Sequence, residues 1–289
     1  MEGCTRRRLS GTIVVGALLL ALGAAATLAR ASAGPPEQTG VFALLGGTPK
    51  IVSKFWAIHD RTPHGATLHV RQFHLGATTA IMNYDVEMER TVHMIVVRDD
   101  FESFTHLHPG FNTTTGTFVE PFTKQPNHRY YMYVDTTPHG LSQQVFRFTI
   151  DSDGPAAAVT PPVAASAPTT TAGPYTVILA ETTLPANSPQ EVDLTVDKGS
   201  GPAHDLGSYL GAPAHCVFIN TTTLAYVHVH ATVRNDTTAK GPIHMNMSGV
   251  GPHMRLHVPA LPAGTYKLWI QFRGGGYQLY SVPFTIVAQ

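Results

Sequence analysis

The sequence predicts an all-β protein: two antiparallel β-sandwich domains, Ig-like or cupredoxin-like, joined by a Pro/Ala/Thr-rich linker. Three observations carry this. Short runs of β-formers such as TLHVRQFHL, TVHMIVV, RYYMYVDT and QQVFRFTI alternate with turn residues, at the ~8–12-residue spacing that marks sandwiches. No stretch keeps a helical apolar period for more than about two turns. The second half then repeats the plan of the first, in YTVILAETTL, EVDLTV, AHCVFI, LAYVHVH and YKLWIQF.

The elements follow in chain order. Residues 1–33 read as an export signal, with Arg6, Arg7 and Arg8 ahead of an apolar run from Gly11 to Ala29 and small residues at Ala31 and Ala33. Cleavage is expected after Ala33, giving a secreted, periplasmic or cell-surface protein. A retained run over 11–29 would instead anchor the chain in a membrane. The arginines also resemble a twin-arginine signal. Residues 34–55, rich in Gly and Pro, are expected to be loosely ordered. Residues 56–150 form the first sandwich, and 175–289 the second. Between them, 151–174 (DSDGPAAAVTPPVAASAPTTTAGP) lacks the large apolar groups a core needs and reads as an extended, flexible linker between independently folding halves. RYYMYVDTTPHGLSQQVFRFTI aligns without a gap on TYKLWIQFRGGGYQLYSVPFTI at an offset of 136. The histidine motifs align at 122, which places an insertion of fourteen residues within 231–264.

Composition narrows the function classes. Charged residues make up 13% of the 289, about half the usual ~25%. Lys plus Arg and Asp plus Glu both number 19; no basic field is available for nucleic acid, which is excluded as a partner. Cys4 falls in the export signal, which leaves Cys216 alone and rules out an internal disulfide in the mature chain. Asn-x-Ser/Thr sequons occur at Asn112, Asn220, Asn235 and Asn246.

The sixteen histidines are the conspicuous excess. His93, His106 and His108 recur in the same register as His215, His228 and His230, with gaps of 13 and 15 in both cases. Each motif reads as a hairpin whose second strand carries His-x-His. On such a ladder all three side chains share one face, whether the first histidine lies opposite the second or the third. Three converging imidazoles suit copper or zinc. Packed interior histidines are the competing reading, since Val92, Met94, Ile95 and Val96 are apolar on both faces of their strand.

Cys216 and Met94 stand beside the first histidines and should point to the opposite face. As a thiolate Cys216 would be a soft metal ligand, and as a thiol a small core residue. The second-half insertion offers further candidates: His244, Met245 and Met247, then His253, Met254 and His257, a mixture of imidazole and thioether suited to copper. His59, His64, His69 and His74, spaced by five, keep to no single face. Glu87 and Glu89 read as a solvated strand edge. No HExxH, Gly-x-Ser-x-Gly or phosphate-cradling loop is present, so no enzyme is expected.

The segments MIVVRDDFESFTHLHP, LGAPAHCVFI–LAYVHVH and GTYKLWIQFRGGG–FTI resemble bacterial secreted two-domain proteins with HLHP and HVHP motifs, labelled heavy-metal-associated or YtkA-like. The resemblance covers roughly residues 65–150 and 175–287. It implies metal ligation by His93, His106 and His108 and by His215, His228 and His230. The chain departs from the pattern at Ala231, where a proline usually follows HVH, and in the Thr-rich turn after Asn220. The expected function is an exported copper or zinc chaperone, buffer or sensor, with the metal ion and a membrane metal transporter as partners. A structural or adhesion protein without metal is the alternative. Because free imidazole titrates near pH ~6.5, metal binding is expected to weaken from about pH 7 to pH 5.

Overall fold

The computed structural model describes Met1 and residues 35–234 and 250–289. The expectations on the export signal, Cys4, Asn235, Asn246, His244, Met245 and Met247 lie outside the described residues.

In the first half eleven strands form: β1 (Gln38–Thr39), β2 (Val41–Phe42), β3 (Ile51–His59), β4 (Gly65–His74), β5 (Tyr84–Asp85), β6 (His93–Arg98), β7 (Phe104–Leu107), β8 (Gly110–Asn112), β9 (Thr117–Thr123), β10 (Tyr130–Pro138) and β11 (Gln144–Ile150). They pair into an outer sheet, β1-β3-β4-β9-β8, and an inner sheet, β2-β11-β10-β6-β7. Alternation on β3 and β4 puts Phe55, Leu68 and Val70 inward, against Met94, Val96, Met132 and Val134 of the inner sheet. This is an antiparallel sandwich with its own core.

The second half adds β12 (Thr169–Ala172), β13 (Tyr175–Leu179), β14 (Thr183–Leu184), β15 (Gln190–Lys198), β16 (Gly201–Pro202), β17 (Ala214–Asn220), β18 (Tyr226–Val233), β19 (His253–Val258), β20 (Gly264–Arg273) and β21 (Leu279–Ala288). Here one continuous sheet folds over on itself. β18 gives its first residues to β17 and its last, Ala231 to Val233, to β19. The two layers close over Val177, Leu194, Val196, Cys216, Phe218, Leu268, Ile270 and Phe284.

A third core lies between the halves. β6, β10, β17 and β20 are buried along almost their whole length. A strand apolar on both faces needs a neighbour on both. Ile95, Val97, Phe101, Tyr133 and Val145 of the first half pack with Val217, Ile219, Tyr226 and Trp269 of the second. The contacts are reciprocal. Tyr133 stacks on Tyr226 at 5.1 Å, and Trp269 stacks on Phe104 at 5.2 Å, pairs related by the repeat offsets of 136 and 122.

Two segments differ from their expectations. The described part of the N-terminal segment, residues 35–55, is not a loose lead-in: β1 adds to β3, β2 adds to β11, and Leu45 N–H donates to the Tyr226 carbonyl at 3.0 Å, tying it to the second half. Gly40 permits this, because a Cβ there would meet the Phe148 ring at 2.7 Å. The linker likewise lies along the protein surface. Ala157 N–H donates to Asn127 O at 2.8 Å, Ser166 N–H to Thr285 O at 3.0 Å, and residues from Thr169 onward are already strand β12. Without a core of its own, the segment settles by giving its backbone groups to the neighbouring sheets. Asn220 also departs from a glycan acceptor: it is 5% exposed, and its Oδ1 accepts from Thr222 and Thr223 N–H.

Limited proteolysis is therefore expected to nick the exposed residues 153–158 without parting the halves. The cleaved chain should co-elute as one species in native size-exclusion chromatography. Two separately eluting folded fragments would contradict the shared core.

Candidate metal centre

Odd-numbered residues of β6 and even-numbered residues of β7 face the interface, as do their counterparts on β17 and β18. One end of that face is apolar, as described above. At the other end it carries the histidines. In the first hairpin Ile95 pairs with His106, which sets His93 opposite His108. In the second, His215 pairs directly with His230. Of the two registers open from sequence, both halves adopt the second.

Each triad offers three nitrogens within 4.8 Å of one another. In the first, His93 Nδ1 lies 2.9 Å from His106 Nε2. In the second, His215 Nδ1 lies 3.2 Å from His228 Nε2. The remaining members, His108 and His230, each bury an Nε2 with no hydrogen-bond partner. The triads are not separate. Ring centroids of His93 and His228 are 5.3 Å apart and those of His106 and His215 5.5 Å, much as within a triad, where His93 and His106 are 5.1 Å apart.

The far side of each ring fixes its tautomer. His93 Nε2 donates to the Glu87 carbonyl at 3.0 Å, and His215 Nε2 to the Tyr209 carbonyl at 2.9 Å. His106 Nδ1 donates to Gln271 Oε1 at 2.9 Å, and His228 Nδ1 to Asp135 Oδ2 at 3.3 Å. A neutral imidazole carries one proton, so the nitrogens that face each other within each triad are bare lone pairs. Lone pairs in contact repel unless a cation lies between them. A proton fits poorly. Burial first, then the neighbouring imidazoles, lower the affinity of these rings for protons: His108, His215 and His230 are pushed down to about 3, and His106 and His228 well below the usual imidazole range. A first-row transition ion, which accepts two or three imidazole nitrogens at once, suits the arrangement.

Among the described residues, Asp135 is the only carboxylate in this hydrogen-bond network. It is 4% exposed, and burial raises its proton affinity. Gln143 Nε2 donates to both its oxygens at 2.9 Å, and Tyr226 O–H donates to Oδ2 at 3.3 Å. A cavity of about 360 Å³, lined by Thr91, His93, Thr137, Gln143, His228 and His230, opens beside it. The centre can therefore be reached by a small ion.

The remaining candidates fall elsewhere. Cys216 is fully buried in the second-half core, where burial holds it as a thiol, and Met94 and Met254 fill the cores of their own sandwiches. Alternation along the strand sends them away from the histidines. His253 faces Thr195, and His257 pairs with Glu191 at 3.4 Å on β15. His64 pairs with Asp153 at 2.8 Å, and His69 stacks on Trp56 at 5.2 Å. Glu87 sits in a turn bridged to Arg90, not on a strand edge, and contributes its carbonyl, not its carboxylate. Reading the sequence missed Asp135, Gln271 and the two carbonyls. The gapless repeat alignment did hold a signal, since it sets Asp135 over Gln271, two buried polar residues at equivalent positions of largely apolar strands.

No curated protein matches the chain. Among solved structures, one described as Dpr2 Ig1-Ig2 in complex with DIP-Theta Ig1-Ig3 is similar at 13% identity, over 88% of this chain and 99% of that one. Its TM-score is 0.19, too low to inform the site. Residues 169–289, the second sandwich with its leading strand, match a family model described as a domain of unknown function, DUF8832.

Proposed function

We propose that this chain is an extracytoplasmic copper- or zinc-binding protein, a chaperone, buffer or sensor, whose ligands are His93, His106, His108, His215, His228 and His230. The observation that carries the reading is the pair of bare nitrogens held face to face in each triad, with outward N–H groups anchored on oxygen acceptors. Packed structural histidines would satisfy both ring nitrogens. These leave lone pairs directed at one another and at two partnerless Nε2 atoms. The donor set is all imidazole, which suits zinc and copper alike. No group placed as a base or nucleophile is needed for such a role.

The test is metal content and affinity of tag-free protein. Wild type should retain zinc or copper. His106→Ala/His108→Ala and His228→Ala/His230→Ala should each weaken binding at their own triad by more than the ~10–100-fold that loss of an outer hydrogen-bond partner brings. Protein that binds neither ion, or whose double variants both bind as tightly as wild type, would leave a structural or adhesion role. Acid should act differently from the simple imidazole expectation. With the buried rings pushed down to about 3, protons compete poorly in the folded state, and metal loss between pH 7 and 5 would follow from opening of the interface.

A further inference from the structure

We infer that the two triads load as one paired, two-ion centre completed across the domain interface, in which Asp135 of the first half orients His228 of the second and Gln271 of the second half orients His106 of the first. This deepens the metal-binding reading and rests on it.

The argument begins with register. Asp135 pairs with His93 on the ladder between β10 and β6, and Gln271 pairs with His215 between β20 and β17. Each therefore stands beside the first histidine of its own half. Yet the imidazole N–H that each accepts comes from the other half: His228 Nδ1 to Asp135 at 3.3 Å, and His106 Nδ1 to Gln271 at 2.9 Å. The sequence separations of 93 and 165 show how remote these partners are along the chain. An outer acceptor on a ligating imidazole fixes its tautomer and turns its other nitrogen toward the metal. Neither triad is therefore fully oriented without the opposite domain.

Proximity gives the second half of the inference. All four central rings, His93, His106, His215 and His228, lie within 6.0 Å of one another by centroid. Ions seated in the two triads would be immediate neighbours. They would also be unlike. A carboxylate behind His228 makes that imidazole a stronger donor than the neutral amide behind His106, and it offsets positive charge in a buried site. The cavity beside Asp135 opens on two ligands of the second half, His228 and His230, and on one of the first, His93. The second-half position should fill first.

Copper(II) added to the metal-free full-length chain tests the pairing by electron paramagnetic resonance. The first equivalent should give the spectrum of an isolated ion. The second should broaden it or lower its integrated intensity below two spins per chain. Two bound ions with full, unbroadened intensity would overturn the pairing while leaving the metal-binding reading intact; absence of any bound copper or zinc would overturn both. The cross-domain support is tested with zinc in the His228→Ala/His230→Ala background, where the first triad remains. Adding Gln271→Leu should loosen zinc ~10–100-fold. Gln271→Glu, which keeps an oxygen acceptor at that point, should restore affinity to within a few-fold. A merely structural role would not distinguish the two substitutions, and equal affinity of the Leu variant and its parent would overturn the assignment.

Discussion

Lowering the pH of the metal-free protein from 7 to 5 is expected to open the interface cooperatively, and this should be the largest single response of the molecule. The six central histidines all bind protons less readily folded than unfolded, chiefly because they are buried. Below pH ~6.5 the unfolded chain therefore takes up protons that the folded one refuses, and stability falls as pH falls. The window runs from the unfolded imidazole value down toward about 3, where His108, His215 and His230 would titrate in place. Asp135 acts in the opposite sense, because burial raises its proton affinity and the folded state gains a proton there first. Each unbalanced proton changes stability by up to about 1.4 kcal/mol per pH unit. Several such losses set against one gain are large beside the ~5–15 kcal/mol that stabilises a whole domain. Trp269, 3% exposed in the interface core, reports the event directly. Its emission should shift to the red between about pH 6 and pH 5 and return on neutralisation, and bound zinc should move the midpoint down. Emission unchanged to pH 4 in metal-free protein would mean that the histidines take up protons without opening the fold.

Trp269→Ala is expected to produce the second-largest effect. The indole is carried by the second half but stacks on Phe104 at 5.2 Å and Phe101 at 6.4 Å, both of the first. Removing a buried tryptophan costs ~3–5 kcal/mol. Here the loss falls on the interface, since neither sandwich core includes this residue. Urea unfolding should lose its single transition, with the interface signal lost before the sandwich signal. Metal affinity should fall too, although no ligand has been touched, because the histidines of each half are oriented by the other. Trp56→Ala is the control. Trp56 is half-buried on the outer sheet, stacked on His69, and its loss should leave metal affinity unchanged. Equal effects of the two substitutions on zinc binding would separate the interface from the centre.

What could be read from sequence was whatever a period of two and a repeat can carry. The strand runs, the shared face of His93, His106 and His108, and the turn of Cys216 away from the histidines all follow from alternation on a ladder. The apolar character of both faces of HMIVVR was equally visible, but its meaning was not. A second buried face signals a second neighbour, and nothing local says that the neighbour is the other half of the same chain. For that reason the linker read as free and the triads as separate. Asp135 escaped notice because its role depends on a contact with His228 that register within one domain cannot reveal. The N-terminal segment was misjudged for a related reason. Two-residue strands such as β1 and β2 have no periodicity to detect, and they exist only because sheet edges are there to receive them.

The reciprocal stacking of Tyr133 on Tyr226 and Trp269 on Phe104 is the contact pattern of a symmetric dimer, in which each partner offers the other the same patch. In a true dimer, a site assembled from both partners dissolves on dilution, and its occupancy depends on protein concentration as well as on metal. Here residues 151–174 join the two copies in one chain, so the encounter is intramolecular. A site assembled this way within one chain keeps both its halves at any dilution. Asp135 and Gln271, a carboxylate and an amide at equivalent positions of the repeat, are where the two halves of the arrangement differ.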